Sequence, residues 1–278
     1  MNWLDEKWRS TDELDTVRAC HFLLGSYRIS PHSSRNPELV ERKKKRGDTR
    51  LFVTTDLIRK AFQKDEFHLI IIYGPLRWGK SSLAMQILHE VYDTWNPENL
   101  SKYVGFHPAQ VLRDWSSFNE KIMAYVWDDA GLWLHALDWN SPFVKATGKY
   151  LNVAGTDFGG LILTSPLPTW ISAKVRGIPQ AVSIKIKKVA GNKWQQDLRR
   201  GTAYRWWMAP DMKHSGVHKL FEEDFDVMLP ERFYAWYKPR RDYYAKLAKK
   251  LMRENLKSLP PELAVPEYGQ PEALSIAR

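Results

Sequence analysis

At 278 residues with 44% hydrophobic content, the chain can bury a full core and is expected to form one large domain, or one domain with an appendage. Cys20 is its single cysteine, which excludes an intrachain disulfide or cysteine zinc cluster; no run of about 18 apolar residues offers a membrane span, and the opening MNWLDEKWRS does not read as an export signal, so a cytoplasmic location and no membrane partner are expected. The formal net charge is +10, yet residues 69–180 hold equal numbers of acidic and basic side chains, so the excess lies before and after them and favours a polyanionic partner, nucleic acid foremost.

The first piece, residues 1–65, contains a polar stretch at 32–50 with the run Arg42, Lys43, Lys44, Lys45 and Arg46, expected as a flexible basic loop. Thr55 or Asp56 is expected to cap a short helix ending near Phe62. The apolar run 69–73 then predicts a short buried strand, and residues 81–91, apolar at Leu83, Ala84, Ile87, Leu88 and Val91, predict a helix. Between them Gly74, Gly79, Lys80 and Ser81 fit the G-x-x-x-x-G-K-[ST] phosphate-binding pattern. The spacing has a physical reason. A loop that wraps a polyanion must turn its N–H groups inward with no Cβ in the way, and the helix that follows adds the positive end of its dipole. The candidate phosphate-binding set is Gly74, Pro75, Leu76, Arg77, Trp78, Gly79, Lys80, Ser81 and Ser82. Lys80 would reach the β- and γ-phosphate oxygens, and the Ser81 hydroxyl would take one Mg²⁺ position.

Further along, residues 103–106 read as a strand, 108–115 as a helix, and 122–127 as an apolar strand ending in Asp128 and Asp129. Another strand is expected at 161–163, in GGLILTSPLP. Strands and helices alternating at these lengths predict an α/β fold, a three-layer sandwich around a mostly parallel sheet, over residues 66–180. An acid at the carboxyl end of a strand in that sheet lies beside the phosphates. Asp128 can then hold Mg²⁺, directly or through its water shell, while Asp129 orients the attacking water or takes its proton. A strand-end cap or salt bridge is the plainer alternative for the pair.

After residue 180 the pattern changes. Residues 181–189, AVSIKIKKV, alternate with period two, Gly191 and Asn192 offer a turn, and 202–208 read as another strand, so a β-rich basic appendage is expected over 181–257. A closing helix is expected after Pro239, with Tyr244, Leu247, Ala248 and Leu251 on one face, and residues 258–278 read as a flexible tail. Candidate nucleic-acid contacts are Lys185, Lys187, Lys188, Lys193, Trp194, Arg199 and Arg200, because cations meet phosphates while rings stack on bases. Thirteen tryptophans spread along the chain keep core packing open as the role of the rings. The eight histidines show no metal-ligand spacing, which leaves Mg²⁺ with nucleotide as the expected metal.

Taken together, GPLRWGKS as a Walker A segment, AYVWDDAG as a Walker B segment and LILTSP at the sensor-1 position resemble the additional-strand (ASCE) class of P-loop NTPases, in particular the AAA+ group. The resemblance covers roughly residues 66–180, and the strand candidate at 103–106 falls between the two segments as that class expects. Asp-Asp followed by a leucine-threonine-serine strand end looks most like initiator and helicase-loader ATPases similar to DnaA. The resemblance implies ATP and Mg²⁺ as cofactors and a homo-oligomer, a hexameric ring. It also implies Thr164 or Ser165 as sensor 1, with strand capping as the alternative, and Arg176 in WISAKVRGIP as the arginine finger. Residues 181–208 depart from the AAA+ pattern by reading as strands where a helical lid is usual. That hairpin is compatible with ring-forming DNA translocases of the HerA and FtsK kind, or with ATPases of mobile elements. The expectation is an ATP-hydrolysing motor acting on single- or double-stranded DNA in replication, loading, unwinding or translocation, encoded by a plasmid or virus. A nucleotide-dependent switch with slow turnover and a DNA-packaging or transfer ATPase are the alternatives.

Overall fold

The computed structural model describes residues 52–178, 181–189, 197–208 and 215–257. The basic run 42–46, the turn at Gly191 and Asn192, Lys193, Trp194 and the tail 258–278 lie outside the described residues. Helix α1 (Val53–Gln63) begins ahead of the cap expected at Thr55 or Asp56, because carboxylates from distant parts of the chain serve its N-terminus. Thr54 donates to Glu223 through its N–H (3.3 Å) and its hydroxyl (2.6 Å), while the Phe52 N–H (2.7 Å) and the Thr55 hydroxyl (2.9 Å) donate to Glu90 Oε2. Those acids satisfy amides that a local cap would otherwise serve, and their charge suits the positive end of the helix.

Strand β1 (His68–Tyr73) is buried along its whole length, as its unbroken apolar run requires of a strand covered on both faces. It feeds the glycine loop and then α2 (Lys80–Tyr92), one residue longer at each end than expected. After the short helix α3 (Pro97–Leu100), a single helical turn at Ser101–Tyr103 stacks Tyr103 on Tyr92, with ring centroids 4.0 Å apart. The strand expected at 103–106 is thereby cut to β2 (Val104–Gly105). Next come α4 (Pro108–Ser117) and β3 (Ile122–Trp127), the latter with the expected bounds. The short α5 (Ala130–Trp133) and α6 (Pro142–Tyr150) lead to β4 (Phe158–Ser165). This strand starts earlier than the expected 161–163, since Gly160 in a seeming glycine break lets Ile58 of α1 pack directly on the sheet; a Cβ there would lie 2.8 Å from Ile58 Cγ1.

Beyond α7 (Ala173–Arg176), three more strands follow: β5 (Val182–Lys188), β6 (Leu198–Met208) and β7 (Ser215–Asp226). The described residues form one seven-stranded sheet in the order β2-β3-β4-β1-β5-β6-β7. From β2 to β5 neighbouring strands are parallel, and β6 and β7 add an antiparallel edge. On one face of the parallel strands, Leu69, Ile71, Tyr125, Trp127, Leu161 and Leu163 pack with Val111, Val144 and Val175 of the covering helices. On the other face lie α1 and α2, so the protein is a three-layer α/β sandwich. The segment read as an appendage starts inside this sheet, because β5 hydrogen-bonds along β1 from Ile70↔Val182 to Tyr73↔Lys185. Its inward residues, Val182, Ile184 and Ile186, are fully buried, and its period-two pattern is that of a strand covered on one side.

The chain divides into two compact units, with the boundary between Tyr234 and Ala235 inside α8 (Glu231–Lys257). The sheet belongs to the first. In the second, the helix runs through Pro239 rather than starting after it. A proline there withholds the amide that would serve the Ala235 carbonyl and crowds that carbonyl with its ring, yet the helix continues past it. Next to it, Arg240 donates to the Trp236 carbonyl (3.0 Å) and lies 4.6 Å from the Trp236 ring centroid. Among the described residues no helix is long and apolar enough to cross a membrane.

Candidate nucleotide site

The carboxyl ends of β1, β4 and β3 lie side by side, with Tyr73 paired to Ser165 and Trp127 to Leu163. Loop 74–81, Asp128, Asp129, Thr164 and Ser165 all lie at this edge. The loop 74–79 turns through Arg77 (φ 64°) and Gly79 (φ 89°), both left-handed, before α2 opens at Lys80. Gly79 is required twice over: its backbone sits in the region that L side chains avoid, and a Cβ would lie 2.6 Å from Val227 Cγ1 just past β7. Gly74 is backed by β5, where a Cβ would stand 3.2 Å from Ile186 Cβ and 3.3 Å from its carbonyl oxygen. A larger residue at either point would collide with the residues of β5 and β7 that back the loop.

Lys80, 6% exposed, donates through Nζ to the carbonyls of Gly74 and Pro75, each at 3.0 Å. Its ammonium therefore already sits inside the loop. The Ser81 hydroxyl donates to Asp128 Oδ1 (2.8 Å), and the Thr164 hydroxyl donates to the same oxygen (2.7 Å). Thr164 Oγ1 in turn accepts from the Asp129 N–H at 2.7 Å. Asp128 and Thr164 are fully buried, whereas Asp129 is half-buried and left-handed at φ 52°. The hydrogen bond to Thr164 holds this backbone, which costs a non-glycine residue on the order of 1–2 kcal/mol. Tyr73, the last residue before the loop, has its phenol pushed up by burial and then by Tyr204, so it stays neutral beside the site.

Of the two sensor-1 candidates, Thr164 touches both acids and Ser165 touches neither. Ser165 donates instead to the Leu167 carbonyl (2.7 Å), which is the strand-end capping role. Arg176 closes the four-residue α7, half-buried, with burial lowering its pKa. Among the described residues no hydrogen bond or ion pair joins its side chain to the loop or to the two acids. Pro75, Leu76 and Arg77 are exposed at the loop tip, and Trp78 and Ser82 are half-buried.

The predicted nucleic-acid residues do not form one patch. Lys185 and Lys187 are exposed on the outer face of β5, whereas Lys188 lies over the Trp78 ring of the phosphate loop, 5.4 Å from its centroid. Arg200 is committed to a two-point ion pair with Asp224 (2.7 and 2.9 Å), and Glu222 lies 3.5 Å away; the Asp224 contact raises its pKa. Arg199 is 8% exposed and donates to the Leu198 carbonyl. The acids that engage Arg200 come from β7, which the sequence pattern did not flag. The proximity of Lys188 to the loop was likewise hidden, since 110 residues separate Lys188 from Trp78 along the chain.

No protein-family profile matches the chain. A protein of Sulfolobus spindle-shape virus 1, described as uncharacterized protein B-251, is 26% identical over 228 residues, covering 73% of this chain and 84% of that one. The solved structure of the KaiC-like protein PH0186 from the hyperthermophilic archaeon Pyrococcus horikoshii OT3 is 13% identical, covers 54% of this chain and 88% of its own, and superposes with a TM-score of 0.30. The fold rests on the chain's own geometry: a buried strand, a glycine loop opening a helix, and a mostly parallel sheet in three layers.

Proposed function

We propose that the chain is an ATPase that binds MgATP at the loop 74–81, hydrolyses it with Asp129, and works as a homo-oligomeric motor on DNA. The observation that carries the hydrolytic part is the hydrogen-bonded run from Ser81 through Asp128 and Thr164 to Asp129 beside a loop with no room for a Cβ. Ser81 Oγ and the Asp128 carboxylate are the hard oxygen donors that Mg²⁺ takes, so the residues fit the metal and would hold it directly or through water. Bound there with ATP, Mg²⁺ would neutralise charge on the phosphate oxygens. Lys80 can exchange two neutral carbonyls for phosphate oxygens, a stronger charge-assisted contact. Thr164 holds the Asp129 backbone so that its carboxylate can take the proton of a water approaching the terminal phosphate.

The strand order supports the additional-strand reading, since β4 lies between the loop strand β1 and the acid-bearing β3. The antiparallel extension β6–β7 favours translocase-like or mobile-element ATPases over AAA+ initiators similar to DnaA, and the likeness to a viral protein supports a mobile-element setting. The positive excess before and after the neutral stretch 69–180 and the exposed Lys185 and Lys187 of β5 support DNA as the partner. In an oligomer, Arg176 is the proposed arginine finger for a neighbouring site. Asp129→Asn tests hydrolysis against simple nucleotide switching. Calorimetry should find MgATP affinity within a few-fold of the parent, while phosphate release falls by about 100-fold or more. Unchanged turnover would remove Asp129 from the mechanism.

A further inference from the structure

We infer that Trp78 and Lys188 form the subsite for the nucleoside end of the nucleotide, with the Trp78 ring stacking on the base and the Lys188 ammonium meeting the α-phosphate. The inference rests on the reading of loop 74–81 as a triphosphate cradle and deepens it. Sheet order fixes the direction of the ligand. Asp128, Asp129 and Thr164 stand at the ends of β3 and β4, on one side of the loop strand β1, so the reacting phosphate lies on that side. The other end of the ligand must leave the loop toward β5. From β3 to β5 is three strand spacings, about 14 Å, a span that an extended nucleoside triphosphate fills.

At the β5 side the chain presents an aromatic ring and a cation already in contact. Ile186 backs the loop at Gly74; two residues on, and so on the same face of β5, Lys188 is the last residue of the strand and places its ammonium 5.4 Å from the Trp78 centroid. An exposed ammonium over a ring is held weakly, and a phosphate oxygen is the better partner for it. Transfer of the ammonium to the α-phosphate bares the ring face for a base, and any of the four bases offers a π-face to it.

Calorimetric titration of the full chain with MgATP, MgADP and inorganic tripolyphosphate, repeated for Lys188→Gln and Trp78→Leu, tests the assignment. Each variant is expected to bind both nucleotides about tenfold more weakly, the loss that accompanies removal of one stacking ring or one phosphate contact. Trp78→Leu is expected to lose more affinity for the two nucleotides than for tripolyphosphate, and Lys188→Arg to restore nucleotide affinity. Parental nucleotide affinity in both Lys188→Gln and Trp78→Leu would overturn the subsite and leave the cradle standing. An equal loss for tripolyphosphate and ATP in Trp78→Leu would overturn it too, since the ring would then act on the loop alone. If the parent chain binds none of the three ligands, the cradle itself fails and the subsite with it.

Discussion

Thr164 joins the two acids of the site. Its hydroxyl is spent on both sides, donating to the buried Asp128 carboxylate and accepting the Asp129 amide. Valine has the same shape without either bond. Thr164→Val should therefore lower stability by about 1–3 kcal/mol, because a buried carboxylate and an amide each lose a partner, and should reduce turnover through a displaced Asp129. Thr164→Ser, which keeps the hydroxyl, should recover most of both. Denaturant unfolding alongside phosphate release checks this; a fully active Thr164→Val would mean that Asp129 does not depend on the bridge. The acids and the threonine were legible in the sequence because they end apolar strands. The choice between Thr164 and Ser165 was not, since a strand's alternation fixes which residue points to which face only once the register is known.

Among the elements, β7 ties the antiparallel edge to the start of the described chain. Glu223, 3% exposed, takes both the amide and the hydroxyl of Thr54 at the N-terminus of α1. Glu223→Ala should cost about 1–3 kcal/mol of unfolding free energy, since Thr54 is buried and would be left without that acceptor. Glu223→Gln, which retains an oxygen, should cost less, and equal stability of parent and alanine variant in urea would contradict the contact. The same element explains what sequence pattern could not deliver. Parallel strands with unbroken apolar runs, such as β1 and β3, announce themselves. β7 does not, because Glu222, Glu223 and Asp224 interrupt its apolar positions, and partners such as Thr202, Lys219, Thr54 and Arg200 make three consecutive acids tolerable in a strand. Pro239 likewise marked a helix start by local rule, while α8 simply runs through it.

For the molecule as a whole, the sheet sets a polarity: the proposed nucleotide site lies at the carboxyl ends of β1, β3, β4 and β5, and the distal ends of β6 and β7 lie at the opposite edge. There Trp207, 37% exposed, stacks on His218 at 5.5 Å. Lys185 and Lys187 are exposed on the outer face of β5 near its loop end, where Lys185 pairs with Tyr73, while Arg199 is buried and Arg200 is tied to Asp224. The measurement that bears most directly on the account is phosphate release from MgATP by the parent chain and by Lys80→Ala, each with and without single- and double-stranded DNA. The parent should turn over ATP and be accelerated by DNA, and Lys80→Ala should do neither; release by the parent no faster than by Lys80→Ala would contradict an ATP-hydrolysing site at this loop.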